Sequence, residues 1–221
     1  MQYSIRSVKL SAVCAVLLGL VCSASSAVAA TNIVTNGSFE ANNIGNVPWT
    51  YLSSVTGWTS TGEFEIQKGS NAGGWGVFNP TDAGNQYLEL NSTKLTTVSQ
   101  VLNTIKGTTY ELSFDFSGRS DTPGGAPSKM AVYWNGVDIG TVSAKPNSGW
   151  IDLSFDNLIA TAGKTTLSFK SLGPTSAPSY GSYLDDVVVT AVPSVPEPAS
   201  MAMLLGGLGM LAFTIRRRKQ G

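Results

Sequence analysis

Tyr110-Glu111-Leu112-Ser113-Phe114-Asp115-Phe116 is the stretch that decides the fold. Tyr110, Leu112, Phe114 and Phe116 fall on one side, and Glu111, Ser113 and Asp115 on the other. This period of two marks a strand with one buried face, because successive side chains leave a pleated backbone in opposite directions. Upstream, residues 87–90 and 98–102 read as shorter strands. Downstream, residues 130–134 run into Asn135-Gly136, a pair that accepts the positive φ angles of a two-residue hairpin turn, and residues 137–142 return. Residues 150–155 and 166–169 alternate again, and residues 183–191 close the series. Nothing between them carries a period of 3.6. Residues 117–128 and 173–181, rich in Pro and Gly, form two longer loops. The pattern predicts an all-β fold, an antiparallel sandwich or jelly roll, over residues 31–192.

The flanks carry targeting signals. Arg6 and Lys9 precede an apolar run over residues 10–21, too short to span a membrane, and Ala27-Val28-Ala29-Ala30 offers small residues for cleavage. Residues 1–30 are expected to be a secretory signal peptide for the Sec pathway, with the mature chain starting near Thr31. Both cysteines, Cys14 and Cys22, lie inside that segment, so the mature domain must hold together without disulfides. At the other end, a proline-rich linker over residues 193–198 precedes an apolar run over residues 199–215. Arg216-Arg217-Arg218-Lys219 follows, in a basic tip over residues 216–221. A bilayer core needs roughly 20 apolar residues, with a lower limit of about 17. The run is therefore expected to be a transmembrane helix, with its basic tip held in the cytoplasm.

Charge and composition exclude several functions. All fourteen acidic residues lie between Glu40 and Glu197, and only eight basic residues share that interval. A net-negative exported domain is expected to be a poor partner for nucleic acid and for anionic lipid, because both need clustered Lys and Arg. The chain has no histidine, and the mature domain has no cysteine. That removes histidine-based triads, thiol nucleophiles and most zinc sites. A glycosidase would need two carboxylates across a cleft, and nothing in the spacing selects a pair. The expectation is a protein without enzyme activity.

Trp75, between Gly74 and Gly76, and Trp49 and Tyr180, near loop positions, are the aromatic residues placed to meet a sugar ring. Trp58, Trp134 and Trp150 sit at strand-like positions and read as core.

Pro196-Glu197-Pro198, the apolar run and Arg216, Arg217 and Arg218, in that order, resemble the PEP-CTERM sorting signal of Gram-negative bacteria. The resemblance implies export, transient anchoring in the inner membrane, processing by an exosortase, and delivery to the cell surface or extracellular matrix. The core has its own resemblance. Asn36-Gly37-Ser38-Phe39-Glu40, Gly57-Trp58, residues 84–90, Ser99-Gln100-Val101, residues 107–115 and residues 180–187 occur in order. They are similar to the choice-of-anchor C group of bacterial surface domains and to galactose-binding-like jelly rolls found among carbohydrate-binding modules and plant cell-wall proteins. This implies eight to ten strands, but no particular ligand, because one fold hosts many functions. It also implies a structural calcium ion tying the first strand to the last, with Glu40 and Asp185 as ligands and Asp186 beside them. The expected function is non-catalytic binding of extracellular polysaccharide. The alternatives are a purely structural envelope or biofilm-matrix protein, or a carboxylate-based glycosidase.

Overall fold

The computed structural model describes residues 31–69, 84–193 and 207–208. The signal peptide, Trp75, the Pro196-Glu197-Pro198 motif and Arg216 to Arg218 lie outside the described residues, as does the apolar run apart from Gly207 and Leu208. Among the described residues no helix is long and apolar enough to cross a membrane.

Eleven strands are described: β1 (Trp49–Leu52), β2 (Thr59–Ser60), β3 (Phe64–Lys68), β4 (Gln86–Glu89), β5 (Thr97–Asn103), β6 (Thr109–Gly118), β7 (Ser128–Trp134), β8 (Val137–Ala144), β9 (Trp150–Ile159), β10 (Lys164–Gly173) and β11 (Ser182–Ala191). They form two sheets, one of six strands in the order β1-β3-β4-β11-β6-β9 and one of five in the order β2-β5-β10-β7-β8. Every pairing is antiparallel. The fold is an all-β jelly-roll sandwich, as the alternation of residues 110–116 predicted.

β6 shows why the sequence specifies this arrangement. Tyr110, Leu112, Phe114 and Phe116 are buried between the sheets, beside Leu184, Val187 and Val189 of β11 and Leu167 and Phe169 of β10. A register slip of one residue would turn this whole set to the outer face, so the core fixes the pairing. Asn135 and Gly136 both have positive φ, 51° and 81°, the geometry that lets β7 return directly as β8.

The N-terminal segment stitches the two sheets together. Ile33 N–H donates to Val189 O on one sheet at 2.9 Å. Thr35 exchanges two bonds with the side chain of Gln100 on the other. Val187 N–H donates to Gly37 O at 3.1 Å, and a Cβ at residue 37 would lie 2.0 Å from Val187 O, so only glycine fits this approach. Gln86 anchors the following loop, accepting from Ile44 N–H and donating to Phe39 O and Asn42 O.

Two expectations are corrected. The strand count exceeds the eight to ten expected, because β1, β2 and β3 are short elements. In β1 the larger aromatic residues, Trp49 and Tyr51, are exposed, whereas Thr50 and Leu52 are half-buried. The pattern is inverted in polarity and hides the strand. Trp150 was expected in the core, but it shares the outer face of the six-stranded sheet with Tyr87 and Tyr183, at ring-centroid distances of 5.3 and 6.3 Å. Trp58 and Trp134 are buried as expected.

Candidate functional site

The outer face of the six-stranded sheet is the unusual surface of this protein. Strand alternation places Trp49 and Tyr51 of β1, Glu65 and Gln67 of β3, Tyr87 and Glu89 of β4, and Tyr183 of β11 on that face. Much of it is buried, although it is not the inter-sheet core. Glu65, Gln67, Tyr87, Glu89 and Tyr183 are all inaccessible to solvent or nearly so. Residues of the loop between β10 and β11, with Arg119 just after β6, supply further contacts with this face.

Glu65 and Glu89 stand directly opposite one another across β3 and β4. The side-chain amide of Gln67 donates to both, at 2.9 Å to Glu65 Oε1 and in a short bond to Glu89 Oε2. Arg119 Nη1 reaches both oxygens of Glu89, at 3.1 and 2.9 Å. Gly181 N–H donates to Glu89 Oε1 at 2.6 Å. Arg119 is held from its other side by Asp121, with Nε to Oδ1 at 2.7 Å.

Electrostatics follow from this crowding. Burial, and next the Glu65 carboxylate, push Glu89 up to about 8, against the lowering pull of Arg119 and of the Gly181 amide. Burial raises Glu65 too, opposed by Gln67 and Arg119. The two acids form one coupled pair in which burial and mutual repulsion disfavour double ionisation, while Arg119 favours the charged form. Burial works against the charge on Arg119, but Asp121 and Glu89 more than offset it, so the guanidinium stays protonated. Burial, and next the charge on Glu89, push the Tyr183 phenol upwards.

An open pocket of about 160 Å³ lies over this network. Its walls are Trp49, Tyr51, Glu65, Ser92, Arg119, Ser179 and Tyr180. Trp49 and Tyr51 meet edge to face, with centroids 5.2 Å apart. Tyr51 O–H donates to Ser92 O at 3.3 Å. The Arg119 guanidinium lies over the Tyr180 ring, 4.6 Å from its centroid. The pocket therefore combines aromatic faces with a carboxylate and a guanidinium fixed from beneath. Such a surface can stack on the apolar side of a sugar and hydrogen-bond its hydroxyls.

Of the three aromatic residues singled out in the sequence, the structure brings Trp49 and Tyr180 together in one pocket, and Trp75 lies outside the described residues. Sequence reasoning missed Tyr51, Glu65, Glu89 and Arg119. The alternation of Glu65, Gln67, Tyr87 and Glu89 against Phe64, Ile66 and Leu88 was the available signal, but only the pairing of β3 with β4 makes the two acids neighbours.

The residues expected to hold calcium lie where the segment before β1 meets β4 and β11, and each carboxylate has a partner of its own. Glu40 Oε1 accepts the backbone amides of Asn85 and Gln86, at 2.5 and 2.6 Å. Asp185 is buried, and its Oδ1 accepts Asp186 N–H at 2.8 Å. Asp186 occupies a break in the β11–β6 register at positive φ. It faces a different cavity of about 400 Å³, lined by Glu111, Ser113, Phe114, Asp115, Asp152, Ser154 and Asp186. Burial, and next the charges of Asp115 and Asp152, raise its pKa. Among the described residues no group of three or more acidic side chains is arranged to hold a metal ion. Glu40 and Asp185 each accept backbone N–H groups through one carboxylate oxygen.

Residues 32–190 match the family described as "Protein of unknown function (DUF642)". Residues 194–219 match the PEP-CTERM protein-sorting motif. No curated protein matches the chain. Among solved structures, a family 61 carbohydrate-binding module in complex with β-1,4-galactotriose is 15% identical, with a TM-score of 0.46, over 73% of this chain and 99% of that one. The CBM22-1 xylan-binding domain of Xyn10C from Paenibacillus barcinonensis is 16% identical, with a TM-score of 0.42, over 65% of this chain and 91% of that one. A family 35 module from the same organism is 17% identical, with a TM-score of 0.41, over 65% and 98%. The tail motif marks an exported protein handled by an exosortase.

Proposed function

The chain belongs to the DUF642 family, and from that premise we propose that it is a non-catalytic surface or matrix module that binds a neutral polysaccharide in the pocket between Trp49 and Tyr180. The observation that carries this reading is the presentation of three aromatic side chains, Trp49, Tyr51 and Tyr180, around polar groups that a buried network has already oriented. Orientation before binding reduces the ordering cost of recognition. The pocket's charge favours an uncharged ligand, since Arg119 is already paired with Glu89 and Asp121.

The sorting motif supports a route in which the precursor is held transiently in the inner membrane by residues 199–215 and then released to the surface by an exosortase. A polysaccharide in the extracellular matrix is then the partner within reach, and nucleic acid is not.

Glu65 and Glu89 raise the alternative of a carboxylate-based glycosidase. The geometry argues against it, because Glu89 is buried and already accepts from Arg119, Gln67 and Gly181. Such a carboxylate is unable to approach an anomeric carbon or a glycosidic oxygen.

Affinity electrophoresis of the full chain through gels containing neutral polysaccharides tests the proposal. Retardation by at least one polysaccharide is expected, reduced by Trp49→Ala and by Tyr180→Ala. Unretarded migration throughout the panel would favour a purely structural matrix protein. Release of reducing sugar from the same panel would favour the glycosidase.

A further inference from the structure

One end of the sandwich differs from the rest of the surface in both polarity and charge. Three connections, taken with the strand ends that flank them, meet there: residues 103–109 where β5 passes to β6, residues 135–137 where β7 turns into β8, and residues 159–164 where β9 passes to β10. Hydrogen bonds fasten them into one unit. Gly107 N–H donates to Ala160 O at 2.7 Å, and Ala160 N–H to Thr108 O at 3.0 Å. Thr104 N–H donates to Gly163 O at 3.0 Å. Asn135 Nδ2 donates to Thr161 Oγ1 at 3.2 Å, and Trp134 Nε1 to Ile159 O at 3.1 Å.

This end leaves large aliphatic side chains in water. Ile105 is 70% exposed, Val137 65% and Ile159 59%. Isolated apolar residues on a surface need no explanation, but several on joined loops at one end do. The charge is also reversed relative to the domain. Residues 103–109, 135–137, 159–164 and 191–193 contain Lys106 and Lys164 and no carboxylate side chain. Both lysines are exposed. The nearest acids along the chain are Glu111, Asp138 and Asp156.

The chain leaves the domain at this same end. Val192 N–H donates to Thr109 O at 2.9 Å, Thr109 pairs with Ile159, and Val192 is itself 44% exposed. The apolar run begins at Ala199. Six extended residues reach about 20 Å at most. The linker includes Pro193, Pro196 and Pro198, which restrict it further.

We infer that the end of the sandwich formed by Ile105, Val137, Ile159 and Val192, with Lys106 and Lys164, rests on the bilayer surface while the tail is uncleaved. The occupant is a lipid surface carrying anionic headgroups. The aliphatic side chains enter the interface, and the lysines meet the headgroup charge. The short tether turns this into an intramolecular contact, so weak individual contacts suffice. The aromatic pocket stays free for its ligand, and cleavage of the tail releases the domain from the membrane. The inference rests on the proposed reading of residues 199–215 as a membrane segment.

The test reconstitutes the full chain, with Cys14→Ser and Cys22→Ser, into vesicles of phosphatidylethanolamine and phosphatidylglycerol that contain a spin-labelled quenching lipid. An environment-sensitive dye is attached to Ala162→Cys at this end, or to Ser176→Cys in the loop after β10 at the opposite end. Flotation reports anchoring, and quenching reports contact. The expected result is flotation of both, with quenching at residue 162 and none at residue 176. Ile105→Ser combined with Ile159→Ser should lose the quenching and keep the flotation. Flotation without quenching at residue 162, or equal quenching at both positions, overturns the docking and leaves the anchoring reading intact. Failure to float overturns the anchoring reading and the docking with it.

Discussion

The guanidinium of Arg119 and the ring of Tyr180 are stacked with 4.6 Å between the guanidinium carbon and the ring centroid. The stack is held by the backbone on both sides of the ring. Ser179 O accepts from Arg119 Nη1 at 3.3 Å, and Gly181 N–H donates to Glu89 at 2.6 Å. One buried ion pair thus grips the peptide groups flanking the aromatic residue that the loop presents. A cation over an aromatic face adds roughly 0.5–2 kcal/mol, depending on desolvation. Its larger effect here is to fix where the ring stands.

Arg119→Ala should therefore damage both stability and binding. At neutral pH it leaves the Glu65–Glu89 pair with an uncompensated buried charge, a change that costs about 3–5 kcal/mol. The loss should shrink in acid, where protonation removes the carboxylate charge that Arg119 compensates. Urea denaturation of the variant and the wild type at neutral and acid pH checks this. An equal loss at both would mean that Arg119 acts through packing alone.

The same pair predicts how stability depends on pH. Glu89 is raised in the folded state from 4.5 to about 8, so the folded chain binds the extra proton between those values. Its stabilising contribution is complete below 4.5 and is lost as the pH rises through about 8. The slope approaches about 1.4 kcal/mol per pH unit for one proton. Glu89→Gln should flatten the fall in urea midpoint over this range, and a slope unchanged in that variant would place the titrating group elsewhere.

Trp49 and Trp150 should respond in opposite ways to truncation, although both lie on the outer face. Trp150 packs against Tyr87 and Tyr183, so Trp150→Ala should cost about 3 kcal/mol and leave polysaccharide retardation at permissive temperature. Trp49 touches Tyr51 at the sheet edge, so Trp49→Ala should cost less than about 1.5 kcal/mol and reduce retardation. Thermal melts beside affinity gels separate the two effects.

Glu40 is an acceptor for two backbone amides, which defines its expected behaviour. Glu40→Ala should lower the melting temperature equally in calcium and in chelator. A wild-type melting temperature that rises in calcium, with the rise abolished by Glu40→Ala and by Asp185→Ala, would instead assign the two carboxylates to a shared ion.

Processing can be read directly from the mature protein. In a host with an exosortase, intact-mass analysis should place the mature C-terminus near Pro196-Glu197-Pro198. Recovery of Arg216 to Gly221 on the mature surface protein would count against cleavage there.

The sequence by itself determined the layers of this protein and its C-terminal sorting signal, because each depends on local order. Period-two alternation in residues 110–116 forces a strand with a buried face, and Asn135-Gly136 forces the return of its hairpin. The Pro-Glu-Pro motif, apolar run and arginine cluster are legible because their meaning lies in their succession along the chain. Trp49 and Tyr180 could be named as candidates, since aromatics near turns stand out against a Gly- and Ser-rich background. Only the tertiary structure decided that they share a pocket, that Glu65 faces Glu89, and that Arg119 reaches across to both Glu89 and Tyr180. Glu89 and Gly181 are 92 residues apart in the chain. Their meeting depends on the β3–β4–β11 register, which is fixed by packing on the opposite face of the sheet. A carboxylate in an alternating strand reads as solvent-facing until a second layer of side chains covers it, and that cover comes from parts of the chain with no local signal for one another.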